Sequence, residues 1–321
     1  MITVRPALIR FGAPCVVLVF TGPALAQGFP AKPVRIVTTV PGGGLDITAL
    51  VIAPKLGERL GQQVIVDNRG SAISVETVQR APGDGYNLLL ASAGLWLSPF
   101  MRSNTPWDPV RDFAPISLLV TSPNIIVVHP SLPVKSVKEL ITFAKARLGE
   151  LNYSSGQSGG SGHIAGELFK SQARVDISRV AYKGLASATL ALLTGEVQLS
   201  FPNASAATTY VKAGRVRGLA VTSLQPSLLA PGLQTAASSG LPGYESRAIM
   251  GLFAPAKTPS AIVDQLNAEV VRVLTSVDVR QRLFDSGSEA APSTPAELLA
   301  AIKSEMATTG KLIKDAGIRA E

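Results

Sequence analysis

The sequence contains little of what disulfide scaffolds, metal clusters and membrane spans require. Its 321 residues include one cysteine and two histidines, which excludes a disulfide scaffold, a cysteine-rich zinc site and a histidine-rich metal cluster. Charged residues make up only 16% of the chain and apolar residues 46%, so a large buried core is possible and a disordered chain is excluded. No apolar run reaches the length of about 18 residues that a transmembrane helix needs.

The N-terminal segment, residues 1–26, has the pattern of a secretory signal peptide. Two arginines precede an apolar run over residues 11–20, and the Ala-Leu-Ala sequence at residues 24–26 matches the A-x-A pattern of a cleavage site, so we expect cleavage before Gln27. The single cysteine, Cys15, lies inside this segment, so the mature chain has none. Export without disulfides is typical of the bacterial periplasm, and we expect that localisation.

The positive charge is spread along the chain. The formal net charge is +8, and no three lysines or arginines are adjacent. A nucleic-acid-binding protein is expected to carry a clustered basic face, so the sequence does not favour a nucleic-acid partner.

Predicted strands alternate with predicted helices. A buried strand at residues 34–40 is followed by a helix over 46–60, and an amphipathic helix is predicted over 136–146. Two further helices, over 259–274 and 295–314, follow the last strand. This alternation predicts an α/β fold in which helices cover both faces of the sheets.

Two glycine-rich loops each join a predicted strand to a helix. The first loop is Pro41–Asp46, and the second loop is Ser154–His163. Such loops present unpaired backbone N–H groups at the positive end of a helix dipole, and glycine allows a ligand to approach the backbone. A carboxylate or phosphate fits there. Two ordinary tight turns are the alternative explanation.

The second loop also contains the G-x-S-x-G pattern of a hydrolase nucleophile elbow, at residues 156–160. In that fold the catalytic histidine follows a later acid in the chain. Here His129 precedes Ser158, and His163 follows it too closely. A serine esterase that uses Ser158 is therefore kept as the alternative function. A dinucleotide-binding pattern at residues 160–165 lacks the acid expected about 20 residues further on.

Several short motifs carry a family resemblance through their order and spacing. They are Pro33–Val37, Pro41–Asp46, Val64–Arg69, Pro82–Tyr86, Asp108–Pro115, Gly162–Phe169, Tyr182–Gly184, Leu219–Ser223 and Gly251–Pro255. Over the whole mature chain they resemble the substrate-binding proteins of tripartite tricarboxylate transporters, the TctC or Bug family. The resemblance implies a two-lobed periplasmic-binding-protein architecture of type II, a Venus flytrap, with a carboxylate held between the lobes.

The resemblance also implies how the protein works. Lobe I is expected to comprise residues 29–121 and 250–321, and lobe II residues 122–249, with two strands forming the hinge. The protein would capture a small organic carboxylate and deliver it to membrane permease subunits of a tripartite tricarboxylate transporter, or to a membrane sensor. No catalytic residue, cofactor or metal is implied, and we expect a monomer.

Ligand-binding residues are expected in both loops and at neighbouring strand ends. They are Pro41, Gly42, Gly43, Gly44, Leu45, Asp46, Ser92, Ser155, Ser158, Gly159, Gly160, Ser161, Gly162, His163 and Asn203. Asp46 either caps the first helix or accepts a hydrogen bond from a ligand. The chain departs from the family at Leu50, where arginine is usual, and over residues 70–75, which are usually glycine-rich. The sequence does not name the ligand.

Overall fold

A computed structural model of the chain describes residues 1, 28–156, 159–182, 184–315 and 317–319. Strands and helices alternate along these residues, and the strands form two separate sheets. The expected signal peptide, apart from Met1, lies outside the described residues. Among the helices that are described, none is long and apolar enough to cross a membrane.

The described residues form eleven strands and ten helices. The strands are β1 Val34–Thr38, β2 Val64–Asn68, β3 Asn87–Ser92, β4 Phe113–Pro123, β5 Ile125–Val128, β6 Leu151–Ser155, β7 Ile177–Ala181, β8 Leu199–Ser200, β9 Arg217–Val221, β10 Arg247–Pro255 and β11 Glu289–Ala290. The helices are α1 Gly44–Leu60, α2 Ser71–Gln79, α3 Ala93–Met101, α4 Val137–Ala146, α5 Ser161–Ala173, α6 Leu185–Leu193, α7 Ala204–Lys212, α8 Ser260–Thr275, α9 Val277–Asp285 and α10 Pro295–Asp315.

The first sheet has the strand order β11-β4-β10-β3-β1-β2. Strands β1, β2 and β3 are parallel, and β10 runs antiparallel to both β3 and β4. Leu88 and Leu90 of β3 pack into a core formed with α1 and α8, whereas Leu89 packs into a core formed with α3 and α10. A continuous apolar strand is what a sheet covered on both faces requires.

The second sheet has the strand order β7-β6-β8-β5-β9. Strand β6 is parallel to β7 and β8, and β5 is antiparallel to β8 and β9. Helices α4 and α5 contribute to the core on one face, and α6 and α7 contribute to the core on the other. Each sheet therefore has its own pair of hydrophobic cores.

The chain crosses between the two sheets at adjacent points. Strand β4 leads into β5 through Asn124, whose backbone N–H donates to the hydroxyl of Thr222 at 2.8 Å. Thr222 follows β9, and its hydroxyl is also hydrogen-bonded to the carbonyl of Ser246, just before β10. Both crossings are thus tied together by hydrogen bonds. The lobe boundaries expected at residues 121/122 and 249/250 stay a prediction.

Four helices were not recognised in the sequence, namely α2, α3, α7 and α9. Each has nine residues, so few helical repeats of apolar residues fit within it, although α6, of equal length, was predicted near residues 187–193. The segment after β10 was predicted to hold two helices and holds three. The extended Ser276, with φ −69° and ψ 142°, separates α8 from α9. Helices α8 and α10 pack against β4 of the first sheet.

Helix α5 lies close to the second sheet because of a glycine. A Cβ atom at Gly166 would overlap the ring of Tyr153, a fully buried residue of β6. We expect Gly166→Ala to lower the free energy of unfolding by about 1–3 kcal/mol, since overpacking outweighs the higher helix propensity of alanine. Urea denaturation measures the change. Gly94→Ala in α3 is the matched control, because no atom lies within 4 Å of its Cβ position. Equal losses in the two variants would contradict this packing argument.

Candidate functional site

Three parallel strands of the first sheet run directly into helices. Strand β1 leads through the first loop into α1, β2 leads into α2, and β3 leads into α3. Because the three strands are parallel, their carboxyl ends and the helix N-termini that follow lie at one edge of the sheet. Helix N-termini carry unpaired N–H groups and positive partial charge, so this edge favours an anion.

The first loop is shaped by Asp46. One carboxylate oxygen of Asp46 accepts the backbone N–H of Gly42 at 2.8 Å, and the other accepts the side-chain amide of Asn68 at 2.8 Å. The same amide nitrogen of Asn68 donates to the carbonyl of Thr39 at 2.8 Å. Asp46 is only 4% exposed. Both of its oxygens are therefore engaged in holding the loop, which adopts a positive φ of 83° at Gly42. Asn68 was not predicted as a site residue, although it lies in the Val64–Arg69 motif.

Helix α1 begins with donors that have no acceptor among the described residues. The first intrahelical hydrogen bond runs from Ile47 N–H to the carbonyl of Gly43, at 3.0 Å. The N–H groups of Gly44, Leu45 and Asp46 precede that bond, and we find no described acceptor for them. Gly44 is exposed at this point. These donors are available to an acidic ligand.

Ser92 lies beside the first loop. It ends β3 and pairs with Met250 of β10. The sulfur of Met250 lies 3.5 Å from the hydroxyl of Thr48. The terminal methyl group of Met250 lies 2.9 Å from the position that a Cβ atom would take at Gly44. The structure therefore brings Ser92 and the start of α1 together around Met250.

The second sheet repeats the arrangement. Strand β6 leads through the second loop into α5, β7 leads into α6, and β8 leads into α7. The N-caps of these helices are Gly160, Gly184 and Asn203. Strands β6, β7 and β8 are parallel, so three more helix N-termini lie at one edge.

The second loop is held by His163 and Arg179. The backbone N–H of Gly159 donates to Nδ1 of His163 at 3.0 Å. At the start of the loop, Arg179 of β7 donates from Nε to the Ser155 hydroxyl at 2.7 Å and from Nη2 to the Gly156 carbonyl at 2.9 Å. Ser158 lies outside the described residues. Arg179 was not predicted as a site residue, because only the pairing of β6 with β7 brings it to the loop.

His163 is a neutral imidazole at neutral pH. Its side chain is buried, and burial, followed by the charge of Arg179, lowers its pKa to about 4. Since Nδ1 accepts the Gly159 N–H, the ring proton lies on Nε2. Neither ring nitrogen is therefore free to accept a proton from a serine, and the geometry gives the esterase alternative no support.

Asn203 joins the second loop through Asn124 at the crossing. Asn203 caps α7 by accepting the Ala206 N–H at 3.3 Å, and it forms an isolated β-bridge with Asn124. The side-chain amide of Asn124 reaches the Ser161 hydroxyl at 3.5 Å. A Cβ atom at Gly162 would lie 2.9 Å from the carbonyl of Phe201. The structure thus places Ser161, Gly162 and Asn203 together.

The two sheets approach each other at the second loop. A Cβ atom at Gly159, whose φ is +77°, would overlap the sulfur of Met101 at the end of α3. Ile164 of α5 is buried in the same cluster as Trp96, Met101 and Ile249, which belong to the first sheet and its helices. Ile249 precedes Met250, which borders the first loop. Both loops therefore border one region between the sheets.

Two surface cavities lie away from this region. One, of about 340 Å³, is lined by α4, the end of α5 and residues 240–242. The other, of about 440 Å³, is lined by α3 and α10. Neither contains an expected site residue. Within the described ranges, no three His, Cys, Asp or Glu side chains are grouped as a metal site.

Sequence and structure comparisons identify the family. The profile described as "Tripartite tricarboxylate transporter family receptor", or TctC, matches residues 48–318. The chain belongs to this family. Protein BugT of Bordetella pertussis is 30% identical to this TctC chain over 303 residues, which cover 92% of the chain and 93% of BugT. The resemblance seen in the sequence is confirmed.

Solved TctC-like structures share the fold. R. palustris Rpa4515 with adipate is 34% identical, with a TM-score of 0.77, and the match covers 91% of this chain and 99% of that one. MatC from Rhodopseudomonas palustris with bound malate is 27% identical, with a TM-score of 0.73, over 89% of this chain and 100% of that one. This TctC protein therefore has the predicted α/β, two-lobed periplasmic-binding-protein fold, and its role is solute binding.

The role of Asp46 in the first loop can be tested by removing its charge. We expect Asp46→Asn to lower the free energy of unfolding by about 1–3 kcal/mol, because an amide nitrogen would then face a buried donor, either Gly42 N–H or the Asn68 amide. Asp278→Asn changes an exposed first-turn acid of α9 and is the matched control, for which we expect a much smaller loss. Urea denaturation of both variants makes the comparison. Similar losses would show that Asp46 acts only through the helix dipole.

Stability should depend on pH through His163. The unfolded chain protonates this histidine near pH 6.5, whereas the folded protein resists protonation down to about pH 4. The unfolded state therefore binds more protons between these values, and stability falls as pH decreases from 6.5 to 4, by about 1–3 kcal/mol. We expect this loss to be smaller in His163→Gln and unchanged in His129→Gln. Thermal melts at steps of pH measure it, and identical profiles for all three proteins would contradict the burial of a neutral His163.

Proposed function

We propose that this TctC protein is a periplasmic receptor that binds a small organic carboxylate between its two lobes. The supporting observation is the convergence of helix N-termini from both sheets on one region. In that region the first N–H groups of α1 have no described acceptor, and glycine exposes the backbone at Gly44. A carboxylate supplies the acceptor that these donors lack.

The ligand class follows from the relatives and from the shape of the site. The solved relatives carry adipate and malate, both of which are dicarboxylates. Two loops on separate sheets each present helix N-terminal donors, so one carboxylate group can lie at each loop. In this proposal the binding residues are those expected from the sequence: Pro41, Gly42, Gly43, Gly44, Leu45, Asp46, Ser92, Ser155, Ser158, Gly159, Gly160, Ser161, Gly162, His163 and Asn203.

Most of these residues act through the backbone. Asp46 and His163 hold the loops by their side chains, because their described hydrogen bonds are to other parts of the same loops and to Asn68. Selectivity then depends on the distance between the loops and on the apolar residues that border them, such as Met250. Binding in this manner requires no chemical step, and we assign no catalytic residue.

Lobe closure is the second part of the proposal. Lobe I would comprise residues 29–121 and 250–321, and lobe II residues 122–249. The crossings meet at Asn124, Thr222 and Ser246, where backbone and hydroxyl groups are hydrogen-bonded to each other. Rotation about a few such strand-end residues is a known route of domain closure. The closed, ligand-loaded receptor would then deliver its ligand to the membrane permease subunits of a tripartite tricarboxylate transporter, acting as a monomer.

A ligand screen tests the carboxylate assignment. The mature protein is melted with adipate, malate, citrate, glutamate and benzoate, each at a concentration far above its expected Kd. At 100 times the Kd a true ligand adds about 2.7 kcal/mol of stability, a rise of several degrees in Tm. We expect adipate or malate to give the largest rise. A protein whose Tm is unchanged by all five acids would overturn the proposal.

A single backbone donor can be removed to locate the site. Gly44 is the first residue of α1 and follows an extended Gly43 with ψ 168°, so the backbone accommodates proline here, which deletes one N–H group, while the flexible end of Met250 must shift away from the added Cβ atom. We expect Gly44→Pro to weaken binding of the best acid by about tenfold or more, the value of one hydrogen bond to a charged group. Gly44→Ala, which adds the same Cβ atom beside Met250 but keeps the N–H group, is the matched control. Calorimetric titration compares them, and equal affinities would remove α1 from the site.

A further inference from the structure

Arg179 lies at the base of the second loop. It belongs to β7, where it pairs with Tyr153 of β6, and its side chain is half-buried. The guanidinium reaches along β6 to the Ser155 hydroxyl and the Gly156 carbonyl. Two of its N–H groups thus fix the point at which the chain leaves the sheet and enters the loop. A fork of this kind limits the directions that the following N–H groups can take.

The charge of Arg179 lies at the start of the second loop, which leads into α5. His163 lies in the first turn of α5, and its pKa is lowered most by burial and next by the positive charge of Arg179. Glu167 and Lys170 of α5 also act on His163, but these two form an ion pair at 3.1 Å. A cation beside a helix N-terminus is electrostatically unfavourable, because the helix end is already positive. The guanidinium of Arg179 and the positive N-terminal end of α5 together favour an anion in the second loop.

We propose that Arg179 is a positioning residue for the ligand-binding second loop and the source of the positive potential that makes this loop select anions. The inference rests on the proposed function, because it assumes that the loop receives a carboxylate group. Arg179 acts through the loop and its field, and no contact between Arg179 and the ligand is required.

Three variants separate charge from structure. Arg179→Gln removes the charge. Arg179→Lys keeps the charge but loses the planar guanidinium and its two hydrogen bonds to Ser155 and Gly156. Arg217→Gln is the matched control, because Arg217 lies in the same sheet and donates to backbone carbonyls at Leu132 and Val134, at 3.0 and 2.8 Å. Its strand position, opposite Val128, is at the edge of the sheet away from the second loop.

The first measurement is an NMR titration of the two histidines in the ligand-free proteins. We expect the pKa of His163 to rise in Arg179→Gln, since the nearby positive charge is lost, and to stay low in Arg179→Lys and Arg217→Gln. His129 is the internal reference. An unchanged pKa of His163 in Arg179→Gln overturns the inference, whatever affinity this variant has for the acids, because Arg179 would then exert no electrostatic field on the loop.

The second measurement is calorimetric titration with adipate and with malate. We expect Arg179→Gln to bind about tenfold or more weakly, Arg179→Lys to bind with an intermediate affinity because it keeps the charge but loses the two guanidinium hydrogen bonds, and Arg217→Gln to bind like the wild type. If Arg179→Gln binds the acids with wild-type affinity, the role inferred for Arg179 is overturned, whereas the proposed function is not. A wild-type protein that binds none of the five acids of the ligand screen overturns the proposed function instead, and this outcome is distinguished from the first because it appears before any variant is made.

Discussion

Unpaired backbone N–H groups at helix starts are the constraint on which the candidate site depends. The first N–H groups of a helix have no acceptor within that helix. Neighbouring parallel strands end at the same edge of a sheet, so the helices that follow them begin at that edge. In this protein each sheet has three parallel strands that run into helices. The result is a region rich in donors between the two sheets. A carboxylate is the natural partner of such a region, and no clustered cationic side chains are needed to attract it.

The side chains that stabilise the two loops carry charges of opposite sign. Asp46 places a negative charge inside the first loop, where it accepts the Gly42 N–H and the Asn68 amide. Arg179 places a positive charge beneath the second loop. An acid near a helix N-terminus offsets the dipole, whereas a base adds to it. The two loops are therefore stabilised by buried or half-buried charges of opposite sign.

Close approach between the sheets depends on one small residue. Gly159 leaves no room for a side chain beside Met101, and its positive φ also disfavours other residues. Next to this contact, Ile164 packs into the core that the first sheet forms with its helices. The loop that would bind the ligand is thus the same loop that touches the opposite sheet. In the proposed function, ligand binding and contact between the two halves would therefore depend on the same residues.

The α/β class, the two glycine-rich loops and the family could be predicted from the amino-acid sequence, because apolar periodicity, glycine placement and motif order are local or linear features. Four of the five nine-residue helices were not predicted, because few helical repeats fit in so short a segment, whereas α6 was. Tertiary structure decided that Asn68 holds Asp46, that Arg179 supports the second loop, and that Met101 meets Gly159. These pairs lie far apart in the chain and become neighbours only through strand pairing and the packing of the two sheets. No pattern of spacing in one sequence encodes such distances, since they follow from how the whole chain folds.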